Sequence, residues 1–320
     1  MLDRIKTQAM ESGIPASIEE AMALNETCST EDLCRAADEV RRKWNGDVVH
    51  TCSIVNARSG KCGEDCKWCA QSAHHNTGIN EYEHIPHDEM MEAFHANKSR
   101  GVKCFSLVTS GRKVMHSHMA YFCNLYKEAA EEGGVKLCAS MGLLDEEQLQ
   151  QLWDSGVRRY HCNLETSKSY FAKLCTTHSV DDKLQTIKKA REIGFEICSG
   201  GIIGMGESMR DRLELAAEAR DAGATSIPVN ILQPIKGTPL ENTEPISEDE
   251  IMRSVALMRL VAPKCTFHFA GGRARLSHEA MAAILRGGAN GALVGDMLTT
   301  IGNKIDDDYR LFEETGYRLN

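Results

Sequence analysis

The sequence predicts a (β/α)8 TIM-type barrel with an N-terminal helical cap. Three features predict it. Eight short β-branched or apolar runs alternate with amphipathic stretches, which argues for parallel pairing and right-handed crossovers. Glycines fall just after the helical stretches, at Gly133-Gly134, Gly156, Gly194, Gly223 and Gly287-Gly288, where C-caps belong. Polar clusters follow the apolar runs, at the end where barrels gather their active sites. A doubly wound open sheet shares this alternation, because periodicity does not show closure.

Taken in order, residues 1–46 read as the helical cap and 47–320 as the barrel. Ser17-Ile18-Glu19-Glu20 opens one cap helix as a capping box, and Ser29-Thr30-Glu31-Asp32 opens another. Strands are expected near His50–Asn56, Val102–Ser110, Lys136–Gly142 and Arg158–Thr166. The second half continues with Glu196–Gly204, Ser226–Leu232, Thr266–Gly272 and Gly291–Gly295. Between them, Asp88–Ser99, Met119–Glu132, Glu146–Ser155 and Val180–Ile193 show helical spacing. Met209–Ala222, Glu248–Val261 and His278–Arg286 complete the set.

Composition narrows the function classes. With 42% hydrophobic residues the chain has ample material for a full core, and a net charge of −9 without a basic block argues against nucleic acid as partner. No run approaches the roughly 18–20 apolar residues of a membrane span, and Met1-Leu2-Asp3-Arg4-Ile5-Lys6 lacks an apolar signal core. A cytoplasmic protein is expected. The 13 cysteines, odd in number and scattered, suit a reducing compartment and cofactor ligation better than a disulfide framework.

The densest chemistry lies in Cys62-Gly63-Glu64-Asp65-Cys66-Lys67-Trp68-Cys69, just after the apolar run Val48–Val55. Three thiols at CxxxCxxC spacing can wrap one soft metal centre, zinc or iron–sulfur. A fourth thiol at matching spacing is missing, which leaves a coordination position open, as a catalytic site requires. A zinc loop completed by a distant ligand is the alternative. The spacing is also the signature of radical S-adenosylmethionine enzymes, in which three cysteines hold a [4Fe–4S] cluster.

Further stretches together resemble the biotin synthase family. They are Ser53-Ile54-Val55-Asn56-Ala57-Arg58-Ser59-Gly60-Lys61, Tyr160-His161-Cys162-Asn163-Leu164-Glu165-Thr166-Ser167 and Cys175-Thr176-Thr177-His178. Cys198-Ser199-Gly200-Gly201-Ile202-Ile203-Gly204-Met205-Gly206-Glu207 and Lys236-Gly237-Thr238-Pro239-Leu240 complete the likeness, which runs from about residue 45 onward. The resemblance implies a homodimeric barrel enzyme that inserts sulfur between two unactivated carbons of dethiobiotin. It implies a [4Fe–4S] cluster on Cys62, Cys66 and Cys69 that cleaves S-adenosylmethionine, the resulting 5′-deoxyadenosyl radical taking hydrogen from the substrate. It also implies a sulfide-donating auxiliary cluster and a flavodoxin or ferredoxin as electron donor.

By the same resemblance, Trp68 sits near the adenine, Asn163 and Glu165 at the ribose, and Lys183 near the cofactor. Gly200 and Gly201 allow close backbone approach to the cofactor; Asn230 faces the substrate, and His161 stands there in place of the family's asparagine, which alters the substrate contact. A related radical barrel, such as a hydrogenase-cluster maturase or a methylornithine synthase, is the competing enzyme reading. A non-enzymatic iron–sulfur or zinc protein is the competing reading from another class.

The sequence departs from the family at the auxiliary cluster, a [2Fe–2S] centre usually held by three cysteines and an arginine. Cys138 and Cys198 match two of the cysteines, but Ser106 occupies the third position and His268 the arginine's. Cys104 lies two residues before Ser106 and so shares its face of the strand. Cys104, Cys138, Cys198 and His268 are therefore the expected ligand set, for a [2Fe–2S] cluster or a larger, sulfide-rich four-iron one. Cys162 is the competing thiol, but its parity is opposite to that of Asn163 and Glu165, so it is read as a small buried hydrophobe facing the helices, as are Cys28, Cys34, Cys52, Cys123, Cys265 and, least firmly, Cys175.

Overall fold

A computed structural model describes residues 1–295, 298–299 and 304–319. Three helices come first: α1 (Leu2–Ser12), α2 (Ile18–Thr27) and α3 (Thr30–Asn45). The capping box at Ser17 and Glu20 is formed, and Ser29 caps α3 through the Asp32 amide. Such caps stabilise a helix by about 1 kcal/mol each.

The barrel follows as β1 (His50–Arg58), α4 (His87–Ser99), β2 (Cys104–Thr109), α5 (His116–Glu132), β3 (Lys136–Ser140), α6 (Glu146–Asp154) and β4 (Arg159–His161). A short α7 (Lys168–Phe171) and then α8 (Val180–Ile193) lead to β5 (Glu196–Cys198) and β6 (Gly201–Ile203). The remainder is α9 (Met209–Asp221), β7 (Ala224–Ile231), α10 (Glu248–Val261), β8 (Thr266–Phe269), α11 (His278–Arg286), β9 (Gly291–Leu293) and α12 (Ile305–Glu314).

Every strand pairing is parallel, and the sheet closes. From β1 the ladder runs through β2, β3 and β4 to β5, and in the other direction through β9 and β8 to β7; β5 and β6 both pair with β7. These two are halves of one barrel strand, so the eight expected strands are present as nine segments. The break lies at Ser199-Gly200. Just before it, between Ile197 and Cys198, the register against β7 shifts, and at the break a Cβ on Gly200 would stand 2.0 Å from the Pro228 carbonyl oxygen. Gly201 is as tightly placed, with the Glu165 carbonyl oxygen 2.2 Å from where its Cβ would be.

The fourth strand is shorter than expected. Its regular part ends at His161, and the chain then turns through Glu165, which adopts a left-handed φ of 75°. The last helix, α12, was not anticipated. It is fastened by a buried ion pair in which Arg273 donates to both carboxylate oxygens of Asp308 at 2.7 and 2.5 Å. The cap helices pack against α9, α10 and α11 on one flank of the barrel. Among the described residues no helix is long and apolar enough to cross a membrane.

Candidate iron–sulfur site inside the barrel

The barrel encloses a cavity of about 420 Å³ at the C-terminal ends of its strands. The cysteine loop after β1 forms one wall. The loop is folded back on itself, since Cys62 N–H donates to Gln71 O at 3.1 Å and Ala73 N–H to Cys62 O at 2.7 Å. Cys62, Cys66 and Cys69 all line the cavity. Trp68 lines it beside them and packs edge-on against Phe171 at 6.4 Å between ring centres.

A second loop clamps the first. Asp65 accepts from the Thr176 amide at 2.8 Å and from the Thr176 hydroxyl. Glu64 accepts from Thr177 Oγ1 at 2.7 Å and lies 2.5 Å from His178 Nδ1. Cys175 Sγ stands 3.6 Å from Cys66 Sγ and 3.3 Å from His178 Nδ1. This contact splits the two thiols. The Cys175 contact and burial push Cys66 up, whereas the hydrogen bond from Cys66 brings Cys175 down to about 4. Cys175 was read from sequence as an ordinary buried thiol, and no local pattern pairs it with Cys66.

Opposite the loop, Asn163, Glu165 and Lys183 line the cavity together. Asn163 donates to Glu165 Oε2 at 3.3 Å and accepts from the Gly200 amide at 3.0 Å. Lys183 donates to the Asn163 carbonyl at 2.9 Å and is only 8% exposed. Burial pushes the Glu165 carboxyl up, against the pull of Lys183. His161 and Asn230 also face the cavity. Burial lowers His161 to about 4, so its imidazole is neutral. Asn230 is anchored by backbone, donating to Gly201 O at 3.1 Å and accepting from Gly271 N–H at 2.9 Å. Gly200 and Gly201 do not line the cavity; their close contacts are with the carbonyls of Pro228 and Glu165.

Deeper in the barrel, thiols from successive strands meet. Cys104 is held well below the usual thiol range by its neighbours Cys138 and Cys52, and Arg159 Nη1 donates to it at 3.4 Å. Cys52 Sγ lies 3.5 Å from His268 Nε2. His268 Nδ1 lies 2.8 Å from Ser226 Oγ, which accepts from Cys198 Sγ at 3.3 Å. A continuous chain of contacts thus runs from Cys52 to Cys198 around the wall. Burial and the nearby Arg159 lower His268 to about 3, leaving it neutral. Gly291 makes room for this ring, since a Cβ there would stand 2.7 Å from His268 Cδ2.

Of these residues, Cys52 was read from sequence as a small buried hydrophobe and Arg159 was not singled out. The signal for Cys52 was parallel register, which places it directly beside Cys104. Arg159 pairs with Glu196 at 3.0 Å, and the mixed polarity of Arg158-Arg159 hid which arginine faces inward.

Residues 57–219 match the radical SAM superfamily, and 228–318 match the Biotin and Thiamin Synthesis associated domain. The chain is 46% identical over 320 residues to the biotin synthase of Parabacteroides distasonis, covering 99% of this chain and 97% of that protein. It is 44% identical to the biotin synthase of Porphyromonas gingivalis, with 100% and 96% covered. The chain belongs to the biotin synthase family.

Biotin synthase relatives extend to Clostridium botulinum, at 46% identity over 288 residues and 90% of each chain. Among solved structures, methylornithine synthase superposes with a TM-score of 0.83 at 21% identity, covering 99% of this chain and 97% of that one. A maturase of the [FeFe]-hydrogenase from Carboxydothermus hydrogenoformans gives 0.82 at 15%, with 100% and 79% covered. At such identities the two show the shared barrel, and the sequence relatives assign the biotin synthase family within it. Membership implies a [4Fe–4S] cluster and S-adenosylmethionine, and the donors fit: soft thiols from one loop face a cavity that also carries a buried carboxylate, amide and ammonium.

Proposed function

We propose that this chain converts dethiobiotin to biotin by sulfur insertion. The observation that carries this reading is the meeting of two separate thiol sets in one barrel cavity. When bound, the [4Fe–4S] cluster with S-adenosylmethionine supplies a carbon radical that takes hydrogen from the substrate, and the auxiliary centre supplies the sulfide. Cys62, Cys66 and Cys69 hold the first group, with Trp68 against the adenine. Asn163 and Glu165 receive the ribose hydroxyls, and Lys183 fixes Asn163 from behind through its carbonyl. Gly200 acts through Asn163, whose amide oxygen it orients, and Gly201 through Glu165 and Asn230.

Dethiobiotin lies between the two thiol sets, with His161 and Asn230 as its polar contacts. Cys104, Cys138, Cys198 and His268 form the wall against which the auxiliary centre rests, whether a two-iron or a larger four-iron cluster. Enclosure in the barrel keeps water from the reactive carbon. A flavodoxin or ferredoxin supplies electrons, the active form is a homodimer, and the setting is the cytoplasm.

The test is anaerobic reconstitution, reduction, and supply of S-adenosylmethionine with dethiobiotin, followed by mass spectrometry. Biotin is expected with about two 5′-deoxyadenosines per turnover, one for each C–H bond broken. Deoxyadenosine without biotin, from protein loaded at both centres, overturns the assigned product.

A further inference from the structure

We infer that Cys52 is a ligand of the auxiliary centre, joining Cys104, Cys138 and Cys198 in a four-thiol set. This inference rests on the auxiliary reading above. Cys52 stands third in β1, in direct register with Cys104 on β2, and lines the same cavity. Cys138 lines the same cavity from β3, two residues beyond the register partner of Cys104. Three thiols on three adjacent strands thus face one space, and Cys198 enters it from the far side.

An apolar core cysteine packs among aliphatic side chains. Cys52 meets a thiol on one side and the His268 imidazole at 3.5 Å on the other. Thiolates favour iron–sulfur centres, and four of them supply a full terminal set for one. His268 then has a different role from the one expected on sequence grounds. Its Nδ1 is engaged by Ser226 Oγ at 2.8 Å, which leaves Nε2 to donate toward the Cys52 sulfur. Such a donor orients a ligand without replacing it. Each thiol gives up its proton to solvent as it takes iron, so the ligation itself changes no oxidation state.

The test uses the full-length chain reconstituted anaerobically with iron-57 and sulfide, as wild type and as Cys52→Ala, Cys52→Ser and His268→Asn. Iron and acid-labile sulfide are counted per chain, and Mössbauer spectra separate the centres. The loop cluster, seen by electron paramagnetic resonance after reduction with S-adenosylmethionine, reports that each variant has folded. Both Cys52 variants are expected to lose roughly a third of the iron if the auxiliary centre has two irons and about half if it has four. His268→Asn is expected to retain it. Full auxiliary iron in either Cys52 variant overturns the assignment, as does loss of that iron in His268→Asn alone. A wild-type chain with iron for the loop cluster only overturns the auxiliary reading itself, and this inference with it.

Discussion

Cys175 shows how one side chain can tune a neighbouring ligand. It stands 3.6 Å from Cys66 and is held by Thr177 Oγ1 at 3.5 Å and His178 Nδ1 at 3.3 Å. Cys66 donates to Cys175. With Cys66 holding iron, that proton would pass to Cys175, which would then donate back to the ligand sulfur. Hydrogen bonds to ligand sulfur favour the more reduced cluster and raise its potential. Cys175→Ala should therefore lower the loop cluster's potential. A hydrogen bond worth about 1 kcal/mol corresponds to a shift of about 40 mV for a one-electron couple. Potentiometry followed by electron paramagnetic resonance measures it, with Cys175→Ser expected to recover most of the shift. An unchanged potential in the alanine variant removes Cys175 from this role.

Among the elements, α9 makes a clear case. Its N-cap Ser208 bonds Asp211 through both amide and hydroxyl, at 2.8 and 2.6 Å, and Ser167 donates to the other carboxylate oxygen at 2.6 Å. Burial raises the Asp211 carboxyl, but these bonds outweigh it and hold it below its ordinary 3.8. Its stabilisation is complete above that value and is lost as pH falls through the lower folded value. Asp211→Asn should cost about 1 kcal/mol at pH 7. The gap from wild type should shrink below about pH 4, where unfolded-state carboxyls protonate. Urea unfolding of the metal-free chain at pH 7 and pH 3 gives both numbers; an equal gap at both refutes the argument.

The same elements show what sequence could and could not carry. Helices α8, α10 and α11 begin and end where their spacing and caps place them, because those signals are local. The break between β5 and β6 is not local. It depends on carbonyls of Pro228 and Glu165, which come from neighbouring strands. Asn163 and Glu165 were legible as a pair through the family resemblance, although Glu165 lies beyond regular strand geometry. Cys52 was missed for the same reason as the break, since only the strand register brings it to Cys104.

For the whole molecule, long-range anchors keep the barrel's shell in place. Arg259 on α10 donates to the Gly288 and Cys265 carbonyls and to Asn290 Oδ1, tying that helix to the turns around β8 and β9. The Arg273–Asp308 pair fastens α12 in a similar way. Inside this shell the thiols stand at two depths. Cys52 is the third residue of β1, and the loop cysteines follow its last residue, Arg58. Six residues of strand separate Cys52 from that end, about 20 Å of chain.

That spacing has a consequence for assembly. Iron entering through the mouth that the cysteine loop borders would pass that loop before reaching the inner thiols, and a loop already wrapped around its own cluster would narrow the way. Filling is then expected from the inside outward, with the last iron as the stopper. Supplying iron-57 in a first limiting portion and natural iron afterwards should enrich the label in the inner centre, as read by Mössbauer spectroscopy. An even spread of label between the centres would mean that filling has no order.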